Sequence, residues 1–231
     1  MGAVIHAALV MSIATFGSIQ ATLAFGELVT LTMTERAGVS RTGEWVTIGV
    51  PLPKGRMKST DELCLLQNGK AIPAEILSVN RWWDDGSLRW VHLIFQNDCP
   101  ENGKSSVTLA AGGGAPAPEK TFSVEEKNDR FVVDTGALIF EVRKTGFNVI
   151  DSAKAGGQQV IETHQRGLSV QVEGTEYCAA FDPTAKVTLE EEGPLHAVLR
   201  AIGSFKNAAG ERKFDFDCRL YAYAGSSEVR A

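Results

Sequence analysis

The chain has 231 residues, of which 44% are hydrophobic and 22% are charged, and this composition excludes an intrinsically disordered protein. Its formal net charge is −5, and acidic and basic residues are interspersed without a basic cluster. Such a balance offers little attraction to phosphate backbones, which argues against nucleic-acid binding.

The first 24 residues indicate a secretory signal peptide. They contain no Asp, Glu, Lys or Arg, and residues 3–14 are almost wholly apolar. Small residues in the run 21–24 suit a cleavage site after Ala24. A membrane anchor is the alternative, but the residues at 17–20 interrupt the apolar run before it reaches the ~20 residues that span a bilayer. We therefore expect a secreted or periplasmic protein that has no membrane attachment after cleavage.

Residues 25–111 are predicted to form a β-barrel domain. Alternating or continuous apolar runs, separated by turn residues, each predict a strand. Among the turn residues, Asn68-Gly69 predicts a hairpin turn of the type that needs positive φ. The predicted strands cover residues 28–34, 45–50, 62–67, 71–79, 88–95 and 105–111.

The segment 81–95 is predicted to be the central hairpin of this domain. Asp85-Gly86 tolerates positive φ and joins two β-rich runs, which is a strong hairpin signal. From Leu88 onward apolar residues occupy both alternation phases, a pattern typical of a strand buried on both faces. Three of the four tryptophans lie near the turn, so we expect indoles to form most of the core. His92 is expected to donate to a barrel carbonyl rather than to a substrate.

Residues 112–120 are rich in glycine and proline and are predicted to be a linker. Residues 121–231 then predict an antiparallel β-sandwich. The run from 195 to 202 has a composition that also suits a helix, but the preceding Gly193-Pro194 and the β-rich surroundings favour a strand. The chain ends as a further strand begins, so the sandwich is expected to be incomplete. The predicted strands cover residues 131–133, 137–143, 167–173, 186–190, 195–205 and 214–223.

Cysteines and carboxylates are the candidate metal ligands of the sequence. Cys64, Cys99, Cys178 and Cys218 form no CxxC pair, which argues against structural zinc. In an exported chain they allow two disulfides with three possible pairings, and free buried thiols are the alternative. The run Glu190–Glu192 is most simply a solvated turn, although three carboxylates can hold calcium weakly.

The adjacent indoles of Trp82 and Trp83 are the one candidate binding feature. Neighbouring strand residues point to opposite faces, so one indole is expected in the core and the other can be exposed. An exposed Trp83 beside Arg81 and Asp84 suits the ring of a sugar. The alternative is that both indoles pack under neighbouring loops. No serine-hydrolase, zinc-protease or nucleotide-binding motif is present, and no catalytic residue can be named.

Five segments together resemble a known family. The segments are GVPLPKG (49–55), GKAIPA (69–74), RWWDDGSLRWV (81–91), VDTGAL (133–138) and YAYAGS (221–226). The first three resemble the N-terminal RIFT-barrel domain of the exo-rhamnogalacturonan lyase and YetA-like family, and the last two resemble the central β-sandwich that follows it.

The resemblance implies the non-catalytic N-terminal β-domains of a secreted lyase-like protein. Members of this family carry a C-terminal α/α-toroid, and the catalytic residues are expected there or at its junction with the sandwich. This sequence contains no toroid. The full protein would cleave an acidic pectic polysaccharide by β-elimination, which needs a base and a cation. The alternative is a free-standing cell-surface module, without enzymatic activity, that binds carbohydrate or serves as a scaffold.

Overall fold

Alternating apolar residues and tight turns fold the chain into two all-β units in sequence. The computed structural model describes residues 26–114, 116–117, 122–163 and 166–231. The predicted signal peptide, residues 1–24, lies outside the described residues, as do positions 115 and 118–120 of the predicted linker.

The N-terminal unit consists of two antiparallel sheets. One sheet has the strand order β1-β7-β3-β4, and the other has the order β2-β6-β5. Asn68 and Gly69 have φ values of 52° and 76°, which confirms the predicted tight turn between β3 and β4. Pro73 separates β4 from β5, since proline cannot donate to a ladder. The strands are β1 (Gly26–Thr34), β2 (Arg41–Pro51), β3 (Leu63–Gln67), β4 (Lys70–Ile72), β5 (Ala74–Arg81), β6 (Leu88–Cys99) and β7 (Lys104–Ala111).

The predicted central hairpin is confirmed. Strands β5 and β6 pair antiparallel up to Arg81 and Leu88, and the turn lies between those two residues. Gly86 has a φ of 69°, a value that glycine adopts without a steric penalty. The other edge of β6 pairs with β2, so β6 is the middle strand of its sheet.

The core of this unit is aliphatic, and the prediction that indoles form it was wrong. None of the four tryptophans belongs to the main core cluster. Trp83 is 92% exposed and Trp90 is 39% exposed. The outer face of β6, which points away from the barrel core, is buried only around Ile94. The prediction that β6 is buried on both faces is therefore correct for only part of the strand. The largest buried core residues are Val50, Leu63, Leu65, Leu88, Leu93, Phe95 and Leu109.

The C-terminal unit is a sandwich of two antiparallel sheets. One sheet has the order β12-β11-β10-β9-β8; the other has β13-β14-β16-β17-β18, with β15 also paired to β16. The predicted run at 195–205 is a strand, which confirms the preference for strand over helix. The strands are β8 (Ser123–Glu126), β9 (Arg130–Asp134), β10 (Leu138–Arg143), β11 (Ser152–Ala155), β12 (Gln158–Ile161), β13 (Ser169–Val172), β14 (Thr175–Cys178), β15 (Lys186–Glu192), β16 (His196–Lys206), β17 (Arg212–Tyr223) and β18 (Val229–Arg230).

Phenylalanines fill the space between the two sheets of the sandwich. Phe147 and Phe216 stack with ring centroids 5.7 Å apart, and the ring of Phe205 meets Phe216 edge-on at 5.5 Å. Phe131 and Phe140 are buried in the same cluster. Aromatic pairs in these geometries contribute stability beyond the area that they bury.

A third apolar cluster joins the barrel to the sandwich. The rings of Trp45 and Tyr223 stack with centroids 5.2 Å apart and planes inclined by 20°. Ile94 from the barrel and Leu195 and Ala224 from the sandwich are buried around them. The outer face of the β2-β6-β5 sheet is therefore partly covered by the sandwich.

The four cysteines are free thiols in the described structure, which agrees with the alternative of free thiols rather than with two disulfides. Cys64, Cys99 and Cys178 are buried, and Cys218 is partly buried. Burial raises the pKa of the Cys64 and Cys218 thiols, which disfavours the reactive thiolate. Among the described residues, no helix has the length and apolar character needed to cross a membrane.

Candidate functional site

The turn between β5 and β6 is locked by side-chain hydrogen bonds. Asp85 Oδ1 accepts from the main-chain N–H and the hydroxyl of Ser87, at 2.9 and 2.6 Å. These bonds lower the pKa of Asp85, because they favour its carboxylate form. Ser87 Oγ also accepts from the N–H of Gly55, which ties the turn to the loop at 53–58.

The turn separates its two adjacent indoles. Trp82 is partly buried, donates from Nε1 to the carbonyl of Leu52 at 3.3 Å and is covered by the Arg89 guanidinium at 4.8 Å. Trp83 protrudes into solvent and is 92% exposed. One indole therefore supports the turn and the other is presented by it, so the alternative that both pack under loops does not hold.

Arg81 and Asp84, the two other predicted site residues, lie beside Trp83 and contact the loops. Arg81 Nη1 donates to the carbonyls of Lys58 and Gly86, at 2.6 and 2.9 Å. Its Nε and Nη2 groups make no hydrogen bond with the described residues. Asp84 pairs with Lys54, and that hydrogen bond raises the pKa of the lysine.

Positive charge predominates around the turn. The loops at 53–58 and 80–89 expose five cationic and two anionic side chains. An anionic ligand is attracted to such a surface, and the attraction weakens as salt is added. The cations are Lys54, Arg56, Lys58, Arg81 and Arg89, and the anions are Asp84 and Asp85.

A second polar cluster lies buried between barrel and sandwich. Glu75 on β5 accepts from the main-chain N–H groups of Leu195 and His196, the latter at 3.0 Å. The His196 ring lies between two carboxylates, with Nδ1 2.7 Å from Glu75 and Nε2 3.0 Å from Glu191. Glu75 and His196 are only 5% and 2% exposed, so these two side chains are closed to a substrate and join the two units.

Two opposing effects act on the pKa of His196, which is raised above its ordinary value. Burial alone would lower the pKa, but the hydrogen bonds to Glu75 and Glu191 outweigh it. The two carboxylates therefore favour the imidazolium form, which donates from both nitrogens.

The run Glu190–Glu192 is exposed, as expected, but it lies in strand β15 and not in a turn. The alternative of a weak calcium site is not assembled. Glu190 accepts from Arg219 Nε at 2.6 Å and lies 3.4 Å from Arg200 Nη1. Glu191 bonds His196 instead, so two of the three carboxylates already face cationic or imidazole groups. The described residues contain no group of His, Cys, Asp and Glu that could hold a metal ion.

Sequence reasoning missed the pairing of Glu75 with His196, because 121 positions separate the two residues. The available signal was Glu75 itself, a carboxylate that follows Ala74 and precedes an apolar run in a predicted strand. A charged side chain at such a position needs a buried partner. Nothing in the local pattern identifies that partner.

Comparisons with known proteins agree with this architecture. Residues 31–111 match the family model of the PcRGLX-like N-terminal RIFT barrel domain, and residues 122–231 match that of the PcRGLX-like protein central beta sandwich domain. The chain is also 29% identical over 203 residues to the uncharacterized protein YetA of Bacillus subtilis (strain 168). That match covers 84% of this chain but only 23% of the relative.

Both family models match in the expected order and together cover most of the chain. The described strands form an all-β barrel-type unit followed by a β-sandwich, as the two models require. The chain therefore belongs to the PcRGLX-like family of YetA-like and rhamnogalacturonan lyase-like proteins, of which it carries the N-terminal RIFT barrel and the central β-sandwich.

Proposed function

We propose that this chain forms the non-catalytic β-domains of a secreted rhamnogalacturonan lyase-like protein, and that the barrel turn at Trp83 binds its acidic polysaccharide. The observation that carries the proposal is the 92% exposed indole at the tip of a turn that several hydrogen bonds make rigid. Large exposed aromatics held in this way suit ligand contact, because little conformational freedom is lost on binding.

The charges beside Trp83 favour a uronate-containing chain over a neutral one. The donors of Arg81 that no described residue accepts suit a carboxylate, which a guanidinium can bind with two parallel hydrogen bonds. The pair of Lys54 and Asp84 offers both a donor and an acceptor to sugar hydroxyl groups. We place catalysis by β-elimination outside this chain, in a C-terminal α/α-toroid to which these β-domains would be attached.

The test is a titration of the purified chain with rhamnogalacturonan oligosaccharides, followed by tryptophan fluorescence and calorimetry. We expect binding that weakens with added salt. Trp83→Ala should reduce the affinity about tenfold, since an aromatic contact contributes up to ~1.5 kcal/mol. Phe214→Ala is the matched control, because Phe214 is a 50% exposed aromatic on the sandwich.

Three outcomes would contradict the proposal. Equal loss of affinity in both variants would mean that the effect is not specific to the turn. Binding of neutral and acidic oligosaccharides with equal affinity and no salt dependence would remove the role of the cations. Formation of unsaturated uronate products by this chain alone would show that it is catalytic.

A further inference from the structure

The outer face of the β2-β6-β5 sheet carries a second exposed aromatic surface. Directly paired residues in an antiparallel sheet point to the same side. Gly49 pairs with His92, and Pro51 pairs with Trp90, so these four residues share one face. The sandwich covers this face at Ile94, whereas all four of these residues are exposed.

Trp90 and His92 both lie against Gly49. A Cβ atom on Gly49 would be 3.5 Å from Cε3 and Cζ3 of Trp90 and 3.6 Å from Cδ2 of His92. The two rings therefore rest side by side over a residue with no side chain. Glycine inside a strand commonly marks such a close approach. The indole is held against the backbone on one side and remains 39% exposed.

Polar groups accompany the exposed indole. The ring nitrogens of His92 make no hydrogen bond with the described residues, which contradicts the expectation that His92 donates to a barrel carbonyl. They are available to donate to, or accept from, the hydroxyl groups of a ligand. An aromatic face beside free hydrogen-bonding groups matches a pyranose ring, which has an apolar C–H face and a polar rim.

The position of Trp90 relates this surface to the turn. Trp90 is two residues from the last ladder pair of the hairpin, Arg81 and Leu88, and Trp83 lies in the turn two residues after Arg81. The strand rise of ~3.4 Å per residue therefore sets an upper limit of about 14 Å on the main-chain separation of Trp83 and Trp90 along the strand direction. A linear oligosaccharide can span that distance.

We propose that Trp90 and His92 form a second sugar-binding subsite, so that one saccharide chain lies along the hairpin from Trp83 toward the sandwich. This inference rests on the proposed function and specifies an extended ligand and its direction. The competing explanation is that Trp90 only covers Gly49 and protects the strand. That explanation predicts an effect of Trp90 on stability and none on binding.

The experiment uses the indole N–H signals of the four tryptophans in a ¹H–¹⁵N NMR spectrum of the whole chain. Trp83→Phe and Trp90→Phe assign two of the signals. Rhamnogalacturonan oligosaccharides of increasing length are then added to the wild-type protein. We expect the Trp90 and Trp83 signals to shift, and Trp90→Leu to weaken binding of the longer oligosaccharides at least fivefold while Phe214→Ala does not.

Each outcome decides between the two proposals. A shift of Trp83 alone, with unchanged affinity in Trp90→Leu, would overturn the second subsite and leave the proposed function intact. A shift of Trp90 alone would contradict the proposed role of Trp83 and would overturn a saccharide chain that extends from Trp83 to Trp90. No shift at either indole would overturn both. If Trp90→Leu unfolds, the wild-type Trp90 signal still gives the answer.

Discussion

The carboxylate of Glu75 is one of the groups that join the barrel to the sandwich. It is almost fully buried and is bonded by two main-chain N–H groups and by the His196 ring. A Cβ atom on Gly193 would lie 2.3 Å from Glu75 Oε2, so the loop before β16 needs glycine there to close around the carboxylate. A buried charge with this many donors is stabilising only while each donor remains in place.

The raised pKa of His196 predicts a dependence of stability on pH. The groups that face its ring are Glu75 on β5, Glu191 on β15 and Tyr223 on β17, whose ring is 6.3 Å away. Because the folded-state pKa lies above the ordinary value of 6.5, the stabilisation is fully present below pH 6.5 and is lost as pH rises through the folded-state value.

Urea unfolding between about pH 6 and pH 9 should therefore show a falling midpoint in the wild-type protein. His196→Gln should abolish most of this slope, whereas His92→Gln, which removes an exposed histidine, should keep it. A slope that survives in His196→Gln would assign the effect to another group.

Strand β16 illustrates how one element serves two surfaces. Its residues His196, Val198 and Arg200 alternate with Ala197, Leu199 and Ala201, which face the sandwich core. Near the start of the strand, His196 contacts Glu75 of the barrel. Farther along, Arg200 forms an ion pair on the same face. Arg200 pairs with Asp217 on β17 at 2.6 Å, on the exposed side of the sheet. The two sets of side chains on this strand therefore lie in two different environments, although the strand itself was predicted from Gly193-Pro194 and the β-rich surroundings.

Gly203 marks a close approach between side chains inside the sandwich. A Cβ atom there would lie 2.7 Å from Ala185 Cβ and 2.7 Å from Phe216 Cζ, and neither neighbour can move freely. Gly203→Ala should therefore lower the free energy of unfolding by ~1–3 kcal/mol through overpacking. Gly26→Ala is the control, since its Cβ would make only ordinary contacts at 3.9 Å. Equal denaturation midpoints for the two variants would contradict the expected clash.

The whole molecule is joined by an apolar cluster and a polar cluster side by side. Trp45 and Tyr223 stack across the contact, and Arg230 lies 5.7 Å above the Tyr223 ring. Arg230 also lies 3.7 Å from Glu44 of the barrel. Since the aromatic rings are buried, we attribute most of the coupling to them and little to the exposed ion pair.

Loss of this aromatic contact should uncouple the two units. The wild-type chain is expected to unfold in one calorimetric transition. Tyr223→Ala should remove about 3 kcal/mol of packing and split the transition into two. Tyr177→Ala is the control, because Tyr177 is buried within the sandwich and does not belong to the cluster at the contact. A single transition in Tyr223→Ala would show that the polar cluster alone couples the units.

Local features of the sequence were sufficient for the strands and for the tightest turns. Alternating or continuous apolar runs between turn residues predicted the long strands, and the turns at Asn68-Gly69 and Asp85-Gly86 followed from the tolerance of these residues for positive φ. Short strands such as β11, β12 and β14 escaped prediction, since four residues carry too little periodicity to be recognised.

The sequence by itself therefore determined the all-β class, the order of the two units and the presence of the hairpin that carries Trp83. Only the tertiary structure decided that Trp83 and Trp90 are exposed, that the barrel core is aliphatic and that Glu75 meets His196. The physical reason is that alternation defines two faces of a strand without specifying what covers each face. That covering comes from residues more than a hundred positions away, as Ile94 under Tyr223 and Glu75 beside His196 demonstrate.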